Sequence, residues 1–179
     1  NQMRLVNKLT PSYLQRFETQ ITGATLIIAD CNLPPDTIYW LAALPDRPIL
    51  FFDGVSMEKI TRLQPCLDRI DGLKCNRLEA AALLNCSVRA TPDQLVADLH
   101  QRGVDIVLLS LGLEGVQLGR AGQQRHFPLL EPPQTIASVA GAGDALLAGF
   151  LHSHFNGAND EAAMHFGLRA AQLSLTCTD

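Results

Sequence analysis

The run SVAGAGDALLAGF, Ser138 to Phe150, sets two glycines and an aspartate at the mouth of an apolar helical stretch. A helix leaves its first backbone N–H groups without intrahelical partners, and Gly141, Ala142 and Gly143 put almost no side chain over them. Such a start is a seat for an anion, because the donors point outward and the positive end of the helix dipole lies there. Asp144 follows at once and places a proton acceptor beside whatever the seat holds.

Two further stretches carry candidate chemistry. In NRLEAAALL, Asn76 and Glu79 are by structure an N-cap and the residue that reaches back to it. By chemistry they are an amide and a carboxylate three apart, able to hold a hydrated Mg²⁺ through its waters. SLGLEG, Ser110 to Gly115, reads as a turn, or as a glycine-rich surface that lets a nucleotide lie against backbone at Ser110, Gly112 and Gly115. Polar residues also stand where strands end: Asp30 with Asn32, Asp53 with Ser56, Asn76, and Ser110. In an open parallel sheet ligands bind at those ends, although each residue is also an ordinary cap or turn former.

Better-known loops do not fit. The glycine stretch lacks the lysine and hydroxyl of a P-loop. It begins G-x-G, but Leu146 stands where the dinucleotide pattern continues, and no strand with an acidic ribose-binding residue follows. A G-x-S-x-G elbow is missing. His152 and His154 are two apart, which on a helix points them in different directions and argues against a metal pair.

The elements that would position these residues alternate. ATLIIAD (24–30), RPILFFD (47–53) and VDIVLLS (104–110) are short apolar runs of the kind found in strands buried on both faces. PPDTIYWLAAL and TPDQLVADLHQRG, the latter with a threonine cap and ending on Gly103, predict helices between them. GVQLGRAGQQRHFPL predicts a hairpin, and two helices follow, over 144–155 and from 160 to about 176. Strand–helix alternation of this kind predicts an α/β fold, a mostly parallel central sheet covered on both faces.

With 179 residues, 47% of them hydrophobic and 18% charged, the chain is read as one globular domain, residues 1–179. A net charge of -4 gives no basic surface for nucleic acid or an anionic membrane, and neither is expected as a partner. The five cysteines are scattered and odd in number, without C-x-x-C spacing, which predicts reduced thiols and a cytoplasmic protein. The chain opens at Asn1 without a methionine and stops after a helical pattern, so an internal piece of a longer polypeptide is expected.

Taken together the motifs resemble the ribokinase-like, phosphofructokinase-B-type carbohydrate kinases. Ser138–Gly149 is similar to that family's D-T-T-G-A-G-D-like run before a helix, NRLE to its N-x-x-E, and SLGLEG to its T-x-G-x-x-G, in the same order. NQMRLVNKLTP, ADCNLPPDTI and FFDGVSMEKITRL further resemble the N-D-M, D-x-N-L-P and D-P-V-S segments of bacterial pseudouridine kinases and their relatives.

The resemblance implies a three-layer sandwich, this chain forming its carboxy-terminal core without the lid. It implies ATP-dependent phosphorylation of a primary hydroxyl on a small sugar or nucleoside, for pseudouridine the 5′-hydroxyl. Asp144 would be the base, and the amides of Gly141, Ala142 and Gly143 the anion hole. Ser110, Gly112 and Gly115 would line the nucleotide, and Asn76 and Glu79 would manage Mg²⁺ through water. Relatives often pair through the lid, which leaves a homodimer open. Ser138 stands where the family usually has aspartate, near the loop where relatives bind K⁺, so K⁺ dependence stays open; Val139, Ala140, Ser110, Cys75 and Gly54 also depart from the pattern. A domain that keeps the fold but only binds a nucleotide or nucleoside, or an inactive fragment of that fold, remains the alternative.

Overall fold

The computed structural model describes residues 3–129 and 140–176, so Ser138 and Val139 lie outside the described residues. Six strands form one sheet in chain order: β1 (Leu26–Asp30), β2 (Ile49–Asp53), β3 (Gly72–Asn76), β4 (Ile106–Ser110), β5 (Val116–Arg120) and β6 (Gln123–Phe127). The five longest α-helices among the described residues are α1 (Pro35–Ala43), α2 (Arg77–Leu84), α3 (Pro92–Gln101), α4 (Ala142–Phe155) and α5 (Asp160–Thr176). The expected α/β class and mostly parallel sheet are both present. The chain divides into two compact units, residues 1–109 with 119–124, and residues 110–118 with 125–179.

In the first unit β1, β2 and β3 run parallel in a register that aligns Asp30 with Asp53 and Asp53 with Lys74. Leu50, Phe51 and Phe52 of β2 and Val107, Leu108 and Leu109 of β4 are fully buried, as continuous apolar strands should be. The first strand departs from the expectation of burial on both faces. Among the described residues it is the outermost strand of the sheet, and Ile28 is 54% exposed. Gly72 opens β3 because the Phe51 ring crosses it; a Cβ there would lie 2.0 Å from Phe51 Cε2.

Helix boundaries follow local chemistry. Thr91 and Gln94 form a capping box at the start of α3, with Pro92 in the first turn, and Gly103 at φ +102° ends the segment. The hairpin turns on Ala121 and Gly122, both at positive φ (+49° and +75°), as a two-residue turn matched to strand twist requires. No helix among the described residues is long and apolar enough to cross a membrane.

In the second unit α4 and α5 cross at a pair of glycines. A Cβ on Gly149 would lie 2.9 Å from Gly167 Cα, and one on Gly167 would lie 2.7 Å from Leu146 O. The close approach lets Leu146, Leu147, Phe150, Met164 and Leu168 interlock, all buried. At the rim, Arg125 of β6 makes a two-pronged pair with Glu161 of α5 at 2.8 and 2.9 Å. Their mutual contact holds the Glu161 carboxyl below its usual range.

Candidate functional site

The start of α4 is built by one unusual backbone angle. Gly141, the residue before the helix, sits at φ +80°, ψ -11°, a left-handed conformation that side chains disfavour. The helix therefore begins at Ala142, two residues before the expected boundary. Its first i→i-4 bond runs from the Ala145 N–H to the Gly141 carbonyl at 2.8 Å, and no side chain caps it. The N–H groups of Ala142, Gly143 and Asp144 precede that bond, at the positive end of a fourteen-residue helix. The turn is open rather than packed shut: Gly141 and Asp144 are exposed.

The Ser110–Gly115 stretch closes β4 with a short 3₁₀ turn over Gly112–Glu114, tied by the Leu111 N–H to the Gly115 carbonyl at 2.8 Å. Its two glycines have different reasons to be there. A Cβ on Gly115, at φ +97°, would lie 2.1 Å from Phe127 O and 2.9 Å from Pro128 Cα, so the backbones need each other that close. Gly112 has φ +63° and nothing within 4 Å of a Cβ position. It faces open space.

These two stretches meet at one cavity of about 300 Å³ within the second unit. Ser110, Gly112, Gly115, Ala142 and Gly143 all line it. Its walls are apolar, with Leu113, Val116, Leu146, Leu168 and Leu175, and Gln172 joins them from α5. An apolar slot with a few polar groups at one end is the usual make-up of a small-molecule site. Gly141 and Asp144 are not among the residues lining it.

Asn76 and Glu79 lie in the first unit and form the capping box expected of them. The Asn76 N–H donates to Glu79 Oε2 at 2.8 Å, and the Glu79 N–H donates to Asn76 Oδ1 at 2.9 Å. Glu79 is 6% exposed, and Gly54 leaves it room, since a Cβ there would stand 2.9 Å from Oε2. Cap and ligand roles are compatible in donor type: each oxygen keeps a second lone pair, and hard oxygens suit a hydrated Mg²⁺. No group of three or more His, Cys, Asp or Glu side chains among the described residues is placed to hold a metal ion directly. The neighbouring Cys75 thiol is pushed above its ordinary range, chiefly by burial and then by the charge of Glu79.

The other strand-end residues are occupied with one another. Asp30 accepts from the Asn32 N–H and Nδ2, both at 2.9 Å, and Lys59 Nζ donates to Asn32 Oδ1 at 2.6 Å. Lys74 Nζ reaches both Asp53 oxygens at 3.0 Å, and Ser56 caps the short helix Met57–Ile60. Lys74 and Lys59 were not singled out from the sequence: the β2–β3 register brings Lys74 beside Asp53, and Lys59 reaches Asn32 from the short helix after β2. His154 stacks on Phe150 with ring centroids 5.6 Å apart, and the exposed His152 tilts against Phe166.

A family model described as pfkB family carbohydrate kinase matches residues 50–179. The chain belongs to the pfkB family. Every candidate residue from Asn76 to Asp144 lies inside the matched stretch. This pfkB chain is 29% identical over 180 residues to pseudouridine kinase of Escherichia coli K12, an overlap covering 99% of the chain and 57% of that protein. Ribokinase of Thermotoga maritima has the same fold over 97% of the chain and 57% of its own, with a TM-score of 0.84 and 22% identity. Arabidopsis thaliana ribokinase complexed with ribose and ATP matches over 95% and 54%, with a TM-score of 0.75 and 23% identity. The pfkB chain spans about half the length of the curated relatives it matches.

Proposed function

We propose that the protein carrying this chain is an ATP-dependent kinase of a primary hydroxyl on a sugar or nucleoside, and that pseudouridine, converted to its 5′-phosphate, is its acceptor. One observation carries the phosphotransfer reading: Ser110, Gly112 and Gly115 share a cavity with Ala142 and Gly143 at an uncapped helix start. The choice of pseudouridine is supported by the D-x-N-L-P-like and D-P-V-S-like segments and by the 29% identity to a pseudouridine kinase over nearly the whole chain.

In this reading the nucleotide's base and ribose occupy the apolar slot and its phosphates turn toward α4. The acceptor oxygen attacks the γ-phosphorus, the bond to the β–γ bridging oxygen breaks, and ADP departs. Asp144 takes the hydroxyl proton as the new oxygen–phosphorus bond forms. Phosphoryl transfer demands little covalent work of the protein, so positioning and stabilisation of charge on the phosphoryl oxygens are the main tasks. The Gly141, Ala142 and Gly143 amides serve both, because they are fixed before the charge develops. Mg²⁺, when bound, neutralises phosphate charge. The role of Asn76 and Glu79 in holding it through water is supported by the NRLE resemblance and by their oxygen donors.

The test is an ADP-release assay on the full-length protein with pseudouridine, ribose and fructose phosphate as acceptors. Asp144→Ala is expected to lower turnover on the true acceptor by about 10²-fold or more while nucleotide still raises the melting temperature. Unchanged turnover overturns Asp144 as the base. Nucleotide-induced stabilisation without ADP release on any acceptor favours a binding domain that keeps the fold without the reaction.

A further inference from the structure

Among the described residues four non-glycines have positive φ: Asp46, Val55, Asn85 and Ala121. Aspartate and asparagine are the side chains most often found in that region, and Ala121 shares a hairpin turn with Gly122. Val55, at φ +63°, is the β-branched one, and a branched Cβ crowds the backbone there. The Ser56 N–H donates to the Gly54 carbonyl at 2.8 Å across it, which makes residues 54–56 a γ-turn of the rare, strained hand. Gly54 does not relieve the strain, because it is not the residue at positive φ. It is small for room, a Cβ there standing 2.8 Å from Ile60 Cδ1 and 2.9 Å from Glu79 Oε2.

Strain of this kind persists where something repays it. Packing within the chain does not: Val55 is 42% exposed, and Met57, two positions on, is 53% exposed. The turn follows the carboxyl end of β2, the side of a parallel sheet on which ligands bind. Its surroundings are polar. The Val55 N–H donates to Asp53 Oδ1 at 3.4 Å, Lys74 Nζ pairs with the same carboxylate, and Ser56 caps the short helix that carries Lys59. An apolar side chain set among these groups offers nothing to a phosphate. It offers contact to the uncharged body of a ligand, and a planar heterocycle presents more apolar area to it than a bare sugar, whose faces carry hydroxyls.

We propose that Val55 is a specificity-determining residue for the acceptor, held out by its strained turn to pack against the base of a nucleoside, so that a nucleoside is preferred to a free sugar. The inference rests on the kinase reading given above. The test uses the full-length protein, with ADP release measured on pseudouridine and on ribose and unfolding followed by calorimetry. Val55→Asn and Val55→Gly each remove the branched apolar side chain and tolerate positive φ. Val55→Asn should melt about 2 °C or more above wild type, and Val55→Gly should rise by less, because glycine also frees the unfolded chain. Both should lower the ratio of kcat/KM on pseudouridine to kcat/KM on ribose by about tenfold, the loss falling on KM, since the base does not take part in the transfer. A side chain kept for packing alone would instead lower the melting temperature and leave the ratio where it was. Melting below wild type in both variants therefore overturns the proposal, and so does a ratio within about twofold of wild type. A wild-type protein that releases ADP with neither acceptor overturns the kinase reading itself, and this inference with it.

Discussion

The two glycines of the Ser110–Gly115 loop make a paired experiment, because the structure assigns them different jobs. At Gly115 an added methyl carbon would meet the Phe127 carbonyl oxygen at 2.1 Å and Pro128 Cα at 2.9 Å. Both obstacles are backbone and cannot rotate away. The φ of +97° adds a conformation that side chains rarely adopt, at about 1–3 kcal/mol, and the forced contact adds about 1–3 kcal/mol more. Gly115→Ala is therefore expected to cost about 3 kcal/mol or more, a fall of roughly 6–12 °C in melting temperature for a chain of this size. At Gly112 the methyl group meets nothing within 4 Å, and φ +63° lies in the left-handed well, where alanine costs about 1–2 kcal/mol. Loss of chain entropy in the unfolded state offsets about 0.4–1 kcal/mol of that. Gly112→Ala should then lose about 1 kcal/mol or less, yet weaken ADP binding, because its methyl stands beside the cavity. Urea unfolding and calorimetry on both variants read the two effects separately. Equal destabilisation by the two substitutions, or a Gly115→Ala protein as stable as wild type, refutes the assignment.

Two more outcomes follow from the packing. Gly167→Val places its branched carbon 2.7 Å from Leu146 O and 3.1 Å from Phe150 N, so α4 and α5 must separate. Thermal unfolding should show a loss of about 2–4 kcal/mol, and ADP affinity should fall with it because Leu146 and Leu168 line the cavity. The buried thiols give a pH dependence: burial pushes Cys66 up to about 11, and Cys31 and Cys75 move up as well. A folded thiol that keeps its proton where the unfolded one has released it makes stability fall as pH rises from the ordinary value near 9, by about 1 kcal/mol per pH unit for each such group. Urea midpoints between pH 8 and 11 measure this, and iodoacetamide at pH 8 followed by mass spectrometry should modify exposed Cys86 well before Cys31, Cys66 or Cys75.

Much of the fold was legible because its signals are local. The capping boxes at Asn76 and Thr91, the left-handed glycine after α3 and the two-residue turn of the hairpin each concern residues within a few positions of one another. The extent of α5 was equally plain, from Asp160 to Thr176. What stayed hidden depends on neighbours distant in sequence. The apolar run of β1 reads as a buried strand, yet it is the outermost strand among the described residues and Ile28 is 54% exposed. The Asp53–Lys74 pair exists because of the β2–β3 register. The short helices before Gly23 went unassigned for a different reason: those over 11–22 bury no residue, so no periodic apolar stripe marks them.

The candidate site divides along the same line. The start of α4 is a matter of backbone conformation, and a glycine placed just before a helix can be read directly from GAGD. The walls of the site are a matter of surface, and surface is ambiguous in sequence. Leu168, Ala171 and Leu175 recur at helical spacing, as residues facing a solid core would, and Leu168 is indeed buried while also lining the cavity. The sign that this face borders a space rather than a neighbour is a polar residue set into the stripe. Gln172 is that residue, next to Ala171 and three before Leu175, and this half-buried carboxamide in an apolar row keeps an interaction partner, as burial of a polar group demands. The position that local pattern-reading passes over as an interruption of the core is thus one where a partnered polar side chain stands at the wall of a cavity.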